Sequence, residues 1–357
     1  MLHNENSRVK IPALVHFTRL GYEYLSLKNY TGKDLIDEDT NIFIDLLCDA
    51  INRINGIEYT IADTQKLVNE LKLVLDNEDI GRAFYAILLN GYKGIKLIDF
   101  YDFSGTRNSF NVVTELTYKN GSDEFRPDII PLINGIPLAF IEVKKPNNKN
   151  GIKAEYDRMN ARVQNKKFRR FINLTQIMVF SNNSPYDDNE VVPLEGAFYA
   201  ASSYKKLFFS HFREEDPKLI SSVPEADEDK ENLILKDNNL VSIKHTPEYI
   251  TNRAIDTPTN SIITSLFSFE RLLTFLKYAI AYVEKTDENG ITHLEKHLMR
   301  YPQFFATKAI ENKLNQGVKN GIIWHTQGSG KTALSYYNVR YLTDYYQKRG
   351  IGRGSYS

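Results

Sequence analysis

The sequence predicts a mixed α/β chain in two parts, residues 1–250 and 251–357. Three observations carry this. Helical periodicity dominates the first hundred residues. Short β-forming runs separated by glycine turns follow Lys96. An apolar strand then enters a glycine-rich turn and a long helix near the end. At 357 residues the chain exceeds an average domain and can bury two cores.

Taken in order, residues 41–55 place Ile44, Leu47, Cys48 and Ile51 on one stripe of a core-facing helix. Thr64 to Leu75 repeats the pattern with Leu67, Leu71 and Val74, Thr64 being the expected N-cap without a capping box. From Lys96 the period changes. LIDFYDF, SFNVVTELTY, DIIPLI and IPLAFIEV are divided by Ser104-Gly105, Asn120-Gly121 and Asn134-Gly135, the pattern of a β-meander. Further strands are expected at Gln176–Ser181 and Gly196–Ala201, with helix between Lys153 and Phe171. Pro224 to Asp237 is acidic and reads as a solvated loop near the end of the first part. After Ser261 the pattern is helical through Val283. Gly321 to Trp324 reads as a strand leading into a helix over Thr332–Lys348.

Composition excludes several classes. Lys plus Arg and Asp plus Glu are 45 each, so no uniformly basic nucleic-acid coat exists, and such a partner needs a local patch. The single cysteine excludes a disulfide framework and cysteine-based zinc sites. No signal peptide opens the chain, and the most apolar helical stretch, Leu272 to Val283, is too short to span a bilayer. A soluble, cytoplasmic protein is expected.

The first chemical constellation joins Asp128 to Glu142 and Lys144. Leu138 to Ile141 are all apolar, as in a strand buried on both faces, and charge appears where that strand runs out. Spaced by two, Glu142 and Lys144 share a face, and a tight turn at Asn134-Gly135 brings Asp128 alongside them at a sheet edge. Two carboxylates and an ammonium suit phosphodiester hydrolysis. Carboxylate oxygens hold Mg²⁺, which polarises phosphate and activates water, while lysine orients that water or offsets developing charge. Residues 144–170 then carry ten Lys or Arg against Glu155 and Asp157, a net of +8. Arg158, Arg162 and Lys166 fall at i, i+4, i+8, a cationic stripe fit for a DNA backbone, while Tyr156, Met159 and Val163 face the core.

The second constellation is Trp324-His-Thr-Gln-Gly-Ser-Gly-Lys-Thr332. Gly328 and Gly330 free backbone amides for phosphate, Ser329 lies between them, Lys331 reaches β- and γ-phosphates, and the Thr332 hydroxyl binds magnesium. ATP is the expected ligand, although His325 stands where the full phosphate-loop pattern has glycine. No second strand with an acidic pair follows before Ser357, so the segment reads as the beginning of a motor. His293-Leu-Glu-Lys-His297 is not the H-E-x-x-H zinc pattern and reads as a surface helix.

This order of motifs resembles the N-terminal part of the R subunit of type I restriction enzymes. RPDIIPLINGIPLAFIEVKKP resembles that family's PD-(D/E)xK nuclease segment, and HTQGSGKT its superfamily 2 motif I. Arg300-Tyr-Pro-Gln303-Phe-Phe-Ala resembles its glutamine motif, by which Gln303 contacts adenine. The resemblance implies a PD-(D/E)xK nuclease-like mixed sheet with flanking helices over 1–250, then the start of a RecA-like translocase domain over 251–357. It implies Mg²⁺-dependent cleavage of double-stranded DNA coupled to ATP-driven translocation, with methyltransferase and specificity subunits as partners. The Q-x-x-x-Y element of the nuclease family has no match, its nearest candidates being Gln164–Phe168 and Glu155–Met159. A different nuclease–helicase fusion acting in DNA repair, or a non-catalytic docking fragment, are the alternative readings.

Overall fold

The computed structural model describes residues 4–146, 151–186, 195–286, 288–324 and 330–349. A π-helical turn, Asn6–Lys10, leads into α1 (Ile11–Arg19), every residue of which is buried. α2 (Ile44–Asn55), α3 (Ile61–Leu75) and α4 (Arg82–Asn90) follow. The expected stripe of α2 is buried, with Ile44, Leu47, Cys48 and Ile51 in the core. α3 begins earlier than its sequence suggests. Thr60, not Thr64, caps it, and Asp63 closes a capping box with Thr60.

A seven-stranded mixed sheet forms the centre. Its strands are β1 (Glu23–Tyr24), β2 (Phe110–Thr114), β5 (Ile129–Ile133), β6 (Ala139–Val143), β7 (Ile177–Ser181), β8 (Ala197–Ala200) and β9 (Ser210–His211), adjacent in that order. β3 (Tyr118–Asn120) and β4 (Asp123–Phe125) form a separate hairpin. β6 is the middle strand, antiparallel to β5 and parallel to β7. α5 (Gly151–Gln164) and α6 (Arg169–Leu174) make the crossover between them.

Turn chemistry fixes the hairpin between β5 and β6. Asn134 and Gly135 both take positive φ, 54° and 76°, as a two-residue turn of this hand requires. A Cβ on Gly135 would lie 2.6 Å from the Phe43 carbonyl oxygen. The Asn134 side chain accepts from Ser109 N–H and donates to the Leu97 carbonyl, tying the turn to the loop before β2.

That loop corrects an expectation: residues 97–103 form turns rather than a strand. The Asp102 carboxylate accepts backbone N–H groups of Thr106, Arg107 and Asn108, an alternative to ladder pairing.

The remaining elements are α7 (Pro217–Ser221), α8 (Glu228–Asp237), α9 (Pro247–Asn252), α10 (Pro258–Phe267), α11 (Phe269–Tyr278), the hairpin β10 (Ile280–Thr286) with β11 (Thr292–Leu298), α12 (Tyr301–Asn315) and α13 (Lys331–Lys348). The acidic segment is thus a capped helix. Asp227 caps α8, and Glu231 is buried because Arg253 and the Tyr249 hydroxyl bind it at 2.7 Å. Residues 280–283 leave the helix for β10, and His293–His297 lies in β11, where period-two pairing overrides the four-residue histidine spacing. Residues 321–324 form no strand, and Ile322 and Trp324 are about nine-tenths exposed; among the described residues nothing pairs with them. One hydrophobic cluster joins α1, the inner sheet face, α10, α11 and Phe304. Among the described residues no helix is long and apolar enough to cross a membrane.

Candidate functional site

The structure brings Asp128, Glu142 and Lys144 together at the ends of β5 and β6. They meet at the end of the central strands rather than at a lateral sheet edge. Asp128 Oδ2 accepts the Val143 N–H at 3.0 Å, which clamps the carboxylate across the hairpin. Lys144 N–H donates to the Ser181 carbonyl, holding the following residue in register with β7. Lys144 Nζ lies 3.7 Å from Glu142 Oε2 and donates to the Val143 carbonyl at 2.8 Å.

Electrostatics set the three groups apart. Burial, then the adjacent Asp128 carboxylate, holds Glu142 well above the usual carboxylate range. Burial alone would lower Lys144. The charges of Glu142, Glu155, Asp128 and Glu5 outweigh it and raise the ammonium's pKa, so Lys144 is cationic at neutral pH.

Two of those carboxylates extend the site beyond the three expected residues. Glu155 on α5 is 1% exposed, with Lys144 at 3.5 Å, Arg158 at 3.3 Å and Arg162 at 3.1 Å. Of the two Q-x-x-x-Y candidates, the one beginning at Glu155 therefore faces the carboxylates. Glu5 precedes the π-helical turn. Burial raises its pKa, Lys144 opposes the shift and Asp128 adds to it, so it shares their field. No local pattern announces Glu5, because the fold delivers it from the far end of the chain. Lys10, next along that turn, is buried and pairs with Glu115 at 2.6 Å, and Arg126 also approaches Glu115.

The expected cationic stripe is only partly present. α5 stops at Gln164, so Lys166 sits in a separate 3₁₀ turn, where it approaches Glu78 at 3.8 Å. Arg158 and Arg162 both turn inward to Glu155, and Arg162 also stacks over the Phe125 ring at 4.0 Å. Met159 and Val163 are core residues as expected, and Tyr156 is half-buried.

Among the described residues no group of three or more His, Cys, Asp or Glu side chains is arranged to hold a metal ion. A cation held here would have Asp128, Glu142 and water as its ligands. That suits magnesium, which keeps several waters and uses one or two carboxylates. The donor chemistry fits: a divalent cation would offset both the burial of Glu142 and its repulsion by Asp128.

In the second constellation Gln303 is buried at the start of α12. Its Oε1 accepts the Arg300 N–H at 2.9 Å and its Nε2 donates to the Gly330 carbonyl at 3.1 Å, so the glutamine motif touches the end of the phosphate-loop pattern. Gly330 caps α13 at φ 83°, and a Cβ there would strike Gln303 Nε2 at 2.5 Å. Lys331 and Thr332 are exposed in the first turn of α13, whereas Gly328 and Ser329 lie outside the described residues. Gln303 makes both bonds internally, so a contact to adenine requires its amide to be released.

Comparison with known proteins gives these sites a context. The family described as type I restriction enzyme R protein N terminus matches residues 3–186, and that of SWI2/SNF2 ATPases matches 302–351. Two Methanocaldococcus jannaschii proteins are similar over most of the chain. The endonuclease subunit of type I restriction enzyme MjaIXP is 25% identical over 92% of this chain and 30% of its own length. That of MjaVIIIP is 27% identical over 91% and 26%. A third, from MjaVIIP, is 26% identical over 70% of the chain and 20% of its own length. The chain thus spans less than a third of these relatives. With over half of its residues matched, it belongs to the family of type I restriction enzyme R protein N-termini.

Proposed function

We propose that this chain is the nuclease-bearing N-terminal part of a type I restriction and translocation subunit. It acts on double-stranded DNA in the cytoplasm, alongside methyltransferase and specificity subunits. Residues 1–250 are read as the PD-(D/E)xK endonuclease part, and 251–357 as the start of a RecA-like ATPase.

One observation supports the reading most: two carboxylates converge with a lysine held cationic by its neighbours. Asp128 and Glu142 would hold Mg²⁺. When bound, that ion polarises the phosphate and lowers the pKa of its water. Lys144, as a cation, cannot serve as the general base. It orients water and stabilises charge on the phosphate oxygens, while Glu155 fixes its ammonium. Arg158, Arg162 and Lys166 would meet the DNA backbone near the cut. Gln303 and Gly328, Ser329, Gly330, Lys331 and Thr332 would hold ATP.

The test is made in the complete subunit, assembled with its partners. Asp128→Ala or Glu142→Ala should abolish cleavage of unmethylated DNA and spare ATP hydrolysis. Lys144→Ala should stop cutting with metal binding largely intact. Lys331→Ala should stop translocation with the nuclease residues unchanged. Undiminished cleavage by the Asp128 and Glu142 variants would overturn the assignment.

A further inference from the structure

At the far end of α5 from Glu155, a cavity of about 840 Å³ opens between β11, the residues after β8 and the turn following α5. About nine residues of α5 separate the two places, roughly 13 Å along the helix. Seven lysines and arginines line the cavity against two glutamates, in a chain whose net charge is zero.

Both glutamates are already engaged. Glu78 pairs with Arg169 at 2.5 Å, and Glu295 with Lys285 at 2.6 Å and His297 at 2.9 Å. Among the described residues, Lys205, Lys206, Lys296 and Arg300 then have no carboxylate within 4.0 Å. Lys296 is buried, and its ammonium donates to neutral acceptors, the Thr175 carbonyl and the Ser202 hydroxyl, each at 3.0 Å. A buried cation whose nearest opposing charge, Asp79, makes no contact with it is costly, and an anion in the adjoining cavity relieves that cost. Burial lowers the Lys296 pKa to about 7, and the Asp79 charge opposes that shift only in part.

The rim adds a second chemistry. Phe208 is 71% exposed beside Lys205 and Lys206. An aromatic face next to unpaired cations is the arrangement that takes a base and its phosphate. The volume lies in the range that encloses a small ligand and admits an unstacked nucleotide, not a duplex.

We propose that this cavity is a nucleotide site, with phosphate on Lys205, Lys206 and Arg300 and the base against Phe208. The occupant is a free nucleoside triphosphate or an unpaired nucleotide of single-stranded DNA. Of the residues assigned to the phosphate-loop site that are described, neither Gln303 nor 330–332 lines it, whereas Arg300, three residues before Gln303, does.

The experiment uses the 357-residue chain in EDTA, which prevents cleavage of the probe. Fluorescence anisotropy follows a labelled ten-residue oligothymidylate, and a fluorescent ATP analogue is titrated in parallel. Lys205→Ala/Lys206→Ala and Phe208→Ala alter exposed side chains, and thermal melting verifies that the fold is kept. The double variant should bind one probe about tenfold more weakly. On a single strand its salt slope should be flatter by about 0.7 for each phosphate it no longer neutralises. Weaker binding of the oligonucleotide identifies single-stranded DNA as the source, and weaker binding of the ATP analogue identifies free nucleotide. Unchanged affinity for both probes, no binding by the parent chain, or an equal weakening on Lys331→Ala would overturn the proposal.

Discussion

Replacing Lys296 by methionine should stabilise the protein near neutral pH, and the gain should shrink as pH rises. The methionine keeps much of the volume and removes the ammonium that burial holds at a pKa of about 7, against 10.5 for an ordinary lysine. Below the unfolded pKa, the unfolded chain binds this proton more strongly than the folded one. Lys296 therefore opposes folding at neutral pH. Its penalty reaches a plateau below pH 7 and fades towards pH 10.5. At one unit per 1.36 kcal/mol, the difference between variant and parent should narrow by about 2 kcal/mol from pH 7 to pH 9. Removing the bonds to Thr175 and Ser202 offsets part of the gain equally at both pH values. Urea unfolding of both proteins at pH 7, 8 and 9 measures the narrowing, and other titrating groups cancel in the difference. A stability difference that stays constant with pH would refute the reasoning.

Glu155→Ala should cost about 3 kcal/mol in urea unfolding, because it leaves Arg158 and Arg162 without their buried carboxylate and Lys144 with Glu142 alone; Glu155→Gln should lose cleavage in the complete complex and less stability. Gly135→Ala should cost about 1–3 kcal/mol, since φ is positive and the Phe43 carbonyl blocks the methyl group. Gly121→Ala, also at positive φ but with nothing within 4 Å, should cost less, and the two unfolding midpoints make the comparison. Replacing Arg158, Arg162 and Lys166 together by alanine should flatten the salt dependence of duplex binding, by about one unit for each phosphate no longer neutralised. Equal slopes would mean that none of the three meets a phosphate.

What the sequence makes legible is local. Asn134-Gly135 demands positive φ twice, so the hairpin and the approach of Asp128 to Glu142 follow from a dipeptide. An all-apolar run ending in charge likewise identifies β6 as central. Residues 97–103 show the limit: their β-forming composition is overridden by one carboxylate collecting three backbone amides. In β11 the strand signal was present, with Leu294, Lys296 and Leu298 alternating against His293, Glu295 and His297, but the histidine spacing also fits a helix turn. Glu231 seemed solvated because its partners Tyr249 and Arg253 follow some twenty residues later. Glu5 was invisible for a stronger version of the same reason. Its role depends on the whole sheet being in place.

The complete burial of α1 has a consequence in time. His16 bonds Thr264 at 2.7 Å and the Tyr22 hydroxyl bonds the Phe267 carbonyl at 2.9 Å, so α10 covers a segment synthesised some 240 residues before it. At about 5–20 residues per second, α1 waits roughly 12–50 s for α10 to be made. Throughout that interval the face of α1 that α10 covers stays open, although α8, made earlier, packs on the same helix. Ribosome-bound chains halted near residue 200 should be cut within α1 by protease, and chains halted well past α10 should be protected there. The cover of α1 would then be complete only once synthesis has passed the matched segment, 3–186, by some eighty residues.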